Sequence, residues 1–249
     1  MMSSLHTGRG RGRTLAAAVS LAALLGSAAC SGDDEPDTDD PVETTEAPTP
    51  EDRLAQAREV LTDAGSVSLE MTGSNLPEDL DNYIIKAVGS GTMDPPAFEG
   101  TITANVSGIQ ADVPTIAFAG ELHVQLPFTP DYITTKPEDL NVPDPAKLFD
   151  PEEGIVSLLT TTEDAAFGDQ SREGREIVQQ VTGTLPGQAV VDLLGVGDAE
   201  GTFEVTYGLV EESWEARTVT ITGPFYPPAD STYALTLDDF GTPVTIEAP

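Results

Sequence analysis

From Val67 onward the apolar residues come in short runs with a period of two. Val67, Leu69 and Met71 alternate with polar neighbours, as do Ile102, Ala104 and Val106, then Ile116 and Phe118, then Leu122, Val124 and Leu126. That period belongs to a strand buried on one face, because successive strand side chains point to opposite sides. Asn75, Pro77, Gly89, Gly91, Asp94-Pro95-Pro96 and Gly108 punctuate the runs. Short strands divided in this way pair as an antiparallel meander. Runs at 177–183, 203–209, 216–223, 231–237 and 244–246 continue the pattern.

Three segments break the period and read as helices. Pro50-Glu51-Asp52 opens the first, which carries Leu54, Val60 and Leu61 and stops at Gly65. Acids in a first turn and glycine just past the end suit the helix dipole and its left-handed cap. Asp150-Pro151-Glu152-Glu153 opens the second, with Ile155, Val156, Leu158 and Leu159 apolar; aspartate followed by proline is a strong helix start. The third is Pro186–Leu194, ended by Gly195 and Gly197. The fold expected is α+β: one large antiparallel sheet with helices on a single face. Periodicity does not tell a solid core from one that opens into a cavity.

The N-terminus reads as an address. Arg9, Arg11 and Arg13 precede an apolar run from Leu15 to Leu25, and Gly26-Ser27-Ala28-Ala29 lead to Cys30, the only cysteine. A basic stretch, an apolar stretch and small residues are the three parts of a secretory signal. The apolar run is short of the about 20 residues that span a bilayer. A cysteine directly after the small residues makes the segment resemble a lipobox, with cleavage before Cys30 and acylation of its thiol. Ser27 stands where leucine is commonest. An ordinary signal peptide with an incidental cysteine is the alternative. The expected division is a signal at 1–29, lipidated Cys30 with a disordered acidic tether at 30–50, and one domain at 51–249. The tether, rich in acids, Thr and Pro, has too few apolar groups to offset the entropy of ordering. The expected location is the outer face of the cell membrane, held there by lipid.

The 11 basic residues face 43 acids. Such a surface repels phosphates, which excludes nucleic acid as a partner and excludes polybasic attachment to anionic lipid. Side chains for catalysis are scarce. His6 lies in the signal and His123 alternates outward between Leu122 and Val124. No Gly-x-Ser-x-Gly elbow, Ser-x-x-Lys, His/Cys metal spacing or phosphate loop occurs. The chain is expected not to be an enzyme and to need no cofactor.

Three stretches carry a resemblance: DPAKLFDPEEGIVSLL at 144–159, EIVQQVTGTLPGQAVVDLL at 176–194 and YALTLDDFGTPVTI at 233–246. With the lipobox and the order of elements over 51–249, they resemble the LppX/LprA/LprF/LprG family of mycobacterial-type actinobacterial lipoproteins, LprG-like members most of all. The resemblance implies a strongly curved, half-open sheet with helices on its concave side, enclosing a large apolar cavity for the acyl chains of envelope lipids or glycolipids. It implies carriage outward from the cytoplasmic membrane, with a major-facilitator exporter as a partner. The wall would come from Ile102, Ala104, Val106, Ile116, Phe118, Leu122 and Val124, and the lid from Leu54, Val60, Leu61, Ile155, Leu158 and Leu159. Ile102 matches the family's cavity-facing position. Two departures, around Glu78–Ile85 and at Gly223–Asp230, bear on the cavity mouth. The rival reading is an envelope-anchored protein-interaction module with a filled core.

Overall fold

A computed structural model describes residues 47–249 apart from 79, 81, 107, 128 and 141. The expected signal, Cys30 and most of the tether lie outside the described residues. Glu46–Pro249 form one compact unit.

Eleven strands make one antiparallel sheet. They are β1 (Ser66–Ser74), β2 (Asn82–Met93), β3 (Pro96–Val106), β4 (Ile109–Phe118), β5 (Glu121–Val124), β6 (Ile133–Thr135), β7 (Glu163–Glu173), β8 (Glu176–Pro186), β9 (Thr202–Val210), β10 (Ala216–Tyr226) and β11 (Ala229–Asp238). Their order is β6-β5-β4-β3-β2-β1-β11-β10-β9-β8-β7. Every neighbouring pair but one is sequential in the chain, with a helix, Gly187–Leu194, between β8 and β9. The exception is β1 with β11, which joins an N-terminal and a C-terminal meander into one sheet. The end strands β6 and β7 do not meet, so the barrel stays half open.

The helices are α1 (Pro50–Ala64), α2 (Pro137–Leu140), α3 (Ile155–Thr161) and α4 (Gly187–Leu194), with a 3-10 turn at Pro145–Phe149. Local chemistry fixes their ends. The Thr49 hydroxyl accepts from the Asp52 N–H while the Asp52 carboxylate accepts from the Thr49 N–H, a closed capping box. Both bonds to Thr49, backbone first, hold the Asp52 carboxyl below its ordinary range. The helix stops at Gly65, whose φ of 70° is left-handed. At the second predicted start, Asp150 caps a turn instead: its carboxylate accepts from the Glu152 and Glu153 N–H groups, and α3 begins only at Ile155.

α1 packs on α3 and reaches β7; α4 lies on β8 and β9; the 3-10 turn lies on β2, β3 and β4. All cover the same face of the sheet. Leu54, Leu61, Ile155, Leu158 and Leu159 are each at most 4% exposed and belong to one core cluster with the sheet. Val60 is half-buried. Under β9–β11 the rings of Phe203, Phe225 and Tyr233 meet edge to face, at 4.8 Å and 4.9 Å between centroids.

Three parts of the chain differ from the sequence reading. β2 and β7 are full strands where only turn residues or no run had been seen. The strands expected at 216–223 and 231–237 run further, β10 to Tyr226 and β11 from Ala229, so that only Pro227 and Pro228 connect them. The run 244–246 is not a strand. It crosses the outer face, where Val244 and Ile246 cover Ala97 and Ile116, and Ser66 anchors its start by donating to the Thr242 carbonyl at 2.7 Å.

Candidate functional site: an apolar shelf on the concave face

Which side each apolar run faces follows from the hairpins. β3 pairs with β4 as Val106↔Ile109 and Ile102↔Val113, and β4 pairs with β5 as Phe118↔Glu121 and Thr115↔Val124. Directly opposed residues of antiparallel strands share a face. Each tight hairpin therefore exchanges odd for even numbering. Phe98, Ile102, Ala104 and Val106 face the helices on β3; Ile109, Ala111, Val113 and Ala117 do so on β4; Leu122 and Val124 do so on β5.

Two expected wall residues are thereby corrected. Ile116 and Phe118 have even numbers on β4 and point to the outer face. Ile116 is buried with Ala97 and Ile246, and Phe118 and Tyr132 pack at their side. His123 shares that outer face, as its alternation predicts, but is buried rather than at the surface. Its Nδ1 lies 2.9 Å from the Thr134 hydroxyl, and its Nε2 has Glu121 at 3.9 Å and no hydrogen-bond partner among the described residues. No group of three metal-ligating side chains is found among the described residues.

The other wall positions divide in two. Leu122 and Val124 are buried in the core with the lid residues. Ile102 and Ala104 are half-buried, and Val106 is 52% exposed. Beside them stand three residues that the sequence reading did not select: Ile84, opposite Ala104 on β2, and Ala111 and Val113 on β4. All three are half-buried. Together they form a shelf of apolar and small side chains that continues the core outward along β2–β4. Ile84 escaped notice because β2 slips register between Ile84 and Lys86, which breaks its period of two. The signal that could have found Val113 was the parity change at Gly108.

Inside the shelf the interior is filled. Gly89 and Gly91 of β2 and Gly100 of β3 face the helices, and the Phe98 ring lies over the Gly89–Gly100 pair. The Phe149 ring, carried by the 3-10 turn, sits on Gly91; a Cβ there would be 2.3 Å from it. The two rings stack with centroids 6.1 Å apart. Among the described residues the two best-formed hollows are shallow and lie elsewhere. One, about 510 Å³, is on the outer face around Ser68, Glu70, Ser90 and Asp238. The other, about 290 Å³, lies between Pro95, Phe118 and Lys147. In this conformation the space expected to be a large cavity is packed with side chains. An apolar gap forfeits the contacts of its lining, and two aromatic rings over three glycines remove that gap.

A tyrosine pair braces the shelf. The Tyr233 hydroxyl donates to the Ile84 carbonyl at 2.9 Å, so it must accept from the Tyr226 hydroxyl, also at 2.9 Å. Burial pushes the Tyr233 hydroxyl above the ordinary phenol range. Replacing Tyr233 by Phe strands the Ile84 carbonyl. The expected cost is about 1–3 kcal/mol, with faster amide exchange in β2 and unchanged exchange in β9. Equal exchange in wild type and Tyr233→Phe would show that the hydroxyl does not hold the shelf.

Residues 49–246 match the family described as LppX_LprAFG lipoprotein. The chain is 29% identical over 246 residues to the lipoarabinomannan carrier protein LprG of Mycolicibacterium hassiacum, covering 94% of this chain and 96% of the relative. Its fold is similar to the crystal structure of LprF from Mycobacterium bovis, with a TM-score of 0.67 at 15% identity, over 80% of this chain and 96% of that one. It is also similar to LppX from Mycobacterium tuberculosis, with a TM-score of 0.58 at 17% identity, over 80% of this chain and 98% of that one.

Proposed function

Because the chain belongs to the LppX_LprAFG lipoprotein family, we propose that it is a cell-envelope lipoprotein that carries acylated lipids or glycolipids outward from the cytoplasmic membrane. The observation that carries this reading is the shelf: inward-facing apolar side chains, Ile84, Ile102, Ala104 and Val113, left half-buried beside a closed core. The relative LprG bears the name of a lipoarabinomannan carrier, which puts an acylated glycolipid first among cargo classes. Acylated Cys30 holds the protein at the outer face of the membrane, and a major-facilitator exporter hands it cargo.

Each methylene of an acyl chain costs about 0.8 kcal/mol in water. Chains laid along the shelf escape that cost while a polar headgroup stays in solvent. Room for them deeper in the domain opens when the 3-10 turn draws Phe149 off Gly91 and Phe98 turns from Gly89 and Gly100. No side chain in this account makes or breaks a bond, so the protein acts as a carrier and not as an enzyme.

A second reading, an envelope-anchored interaction module, is favoured by the filled interior. Native mass spectrometry of Glu46–Pro249, made in an actinobacterial host, followed by organic extraction, separates the two. One multi-acyl lipid per chain supports the carrier. A domain that arrives empty and takes up no offered glycolipid supports the module.

A further inference from the structure

The strand registers leave part of the sheet projecting. β1 last pairs with β2 at Thr72↔Lys86, and β5 last pairs with β4 at Thr115↔Val124. Beyond those points no further strand pairs with β2 or β4 among the described residues, and β2, β3 and β4 continue as a three-stranded flap of residues 82–85, 103–106 and 109–112, held at its base by the Tyr233 hydroxyl on the Ile84 carbonyl. Its tip is the hairpin between Val106 and Ile109, closed by the Gly108 N–H donating to the Asn105 side-chain carbonyl at 2.9 Å.

The tip is apolar and open. Val106 is 52% exposed and Ile109 70%. Both face the same side as the shelf and extend it through Ala104 and Ala111. Past the end of β5 the ladder takes one more step, Gln125 N–H to the Pro114 carbonyl. That step places Leu126, 43% exposed, beside Val113. Charge is sparse at the tip: the flap's one charged residue, Asp112, lies on the outer face, where its carboxylate accepts from the Thr103 hydroxyl at 2.7 Å. In a sequence with 22% charged residues, none occurs from Gly100 to Ala111 and none from Leu122 to Pro130.

We propose that this flap tip docks into the interfacial layer of a lipid bilayer, with Val106, Ile109 and Leu126 as the inserted side chains. The proposal rests on the carrier reading, since it makes the tip the place where an acyl chain passes from bilayer to shelf. A protein partner fits less well. A stable protein complex buries about 800 Å² on each side, and a few side chains on one hairpin fall short of that. A bilayer needs no matching surface and accepts single apolar side chains at its boundary. The acidic remainder of the domain cannot hold an anionic surface, so docking belongs to zwitterionic lipid.

The test uses tryptophan as a depth probe in the full-length chain. Trp214 is the only native tryptophan and is replaced by Phe in both probes. One probe carries Ile109→Trp. The other carries Arg175→Trp in the turn between β7 and β8, a second exposed hairpin tip. Each is mixed with phosphatidylcholine vesicles whose acyl chains are brominated, and emission is read. The expected result is quenching of the Ile109→Trp probe by about two-fold or more over the Arg175→Trp probe. Adding Val106→Asp should abolish the difference, and vesicles rich in phosphatidylglycerol should reduce it. Equal quenching of the two probes, or indifference to Val106→Asp, would overturn the proposal. So would a co-purifying protein that shields Val106 and Ile109 from labelling without any quenching. Lipid bound per chain is counted by mass spectrometry on the same samples. Bound lipid without quenching sinks the docking alone, whereas quenching without bound lipid leaves the docking standing and sinks the carrier reading.

Discussion

Ile102→Trp is expected to empty the protein of lipid while leaving it folded. Ile102 stands at the centre of the shelf, with Ala87 opposite it on β2 and Val113 opposite on β4. It is half-buried, so an indole at this place has solvent to turn toward and does not burst the core. The same indole covers the ground that an acyl chain would occupy. Overfilling a site costs about 1–3 kcal/mol, roughly a five- to 150-fold loss of binding. Co-purified lipid per chain is therefore expected to fall at least about fivefold, with circular dichroism unchanged. The control is Ile116→Ala. Ile116 lies on the opposite face under the C-terminal tail, so its truncation should lower stability by about 2–5 kcal/mol and leave lipid content alone. Full lipid content in a folded Ile102→Trp protein would remove the shelf as the binding surface.

The second large effect is on stability. Phe203 is fully buried at the inner end of β9, in edge-to-face contact with Phe225, which in turn contacts Tyr233. Its ring also lies against Gly223 and Gly197, where an added Cβ would be 2.5 Å and 3.0 Å from it. Phe203→Ala leaves a void bounded by backbone, which cannot collapse to fill it. A loss of about 3–5 kcal/mol is expected, and for a domain of this size a fall in melting temperature of roughly 6–20 °C. Urea or thermal unfolding measures it. A loss below about 1 kcal/mol would mean that the aromatic column does not hold β9, β10 and β11 to α4.

The two predictions differ in how far the sequence could have led to them. Ile102 was found from its run and from the family resemblance, and the structure leaves it open on the helix side. Phe203 was seen only as the start of a strand; its importance comes from Phe225 and Tyr233, which lie on two other strands. The burial of Leu54, Leu61, Ile155, Leu158 and Leu159 was legible because helical periodicity marks one face. Ile116 and Phe118 were misplaced because their run looks the same whichever side it faces. Ile84 was hidden by a bulge, and Phe98 and Phe149 gave no sign that they would lie on glycines.

By itself the sequence determined what is local: the period of two that makes strands, the Thr49–Asp52 box and Gly65 that bound α1, the aspartate at 150 that caps a turn. These depend on residues a few positions apart, and their energies are decided before the chain meets itself. Tertiary structure decided the rest. The count of residues in each hairpin set which face of a strand is buried. The pairing of β1 with β11 made one sheet of two meanders. The tail from Thr242 to Ile246 sealed the outer face over Ile116, while the shelf on β2–β4 stayed an open inward-facing apolar surface. These outcomes rest on contacts between residues far apart in the chain, and alternation along one strand is identical on either side of a sheet until those contacts choose.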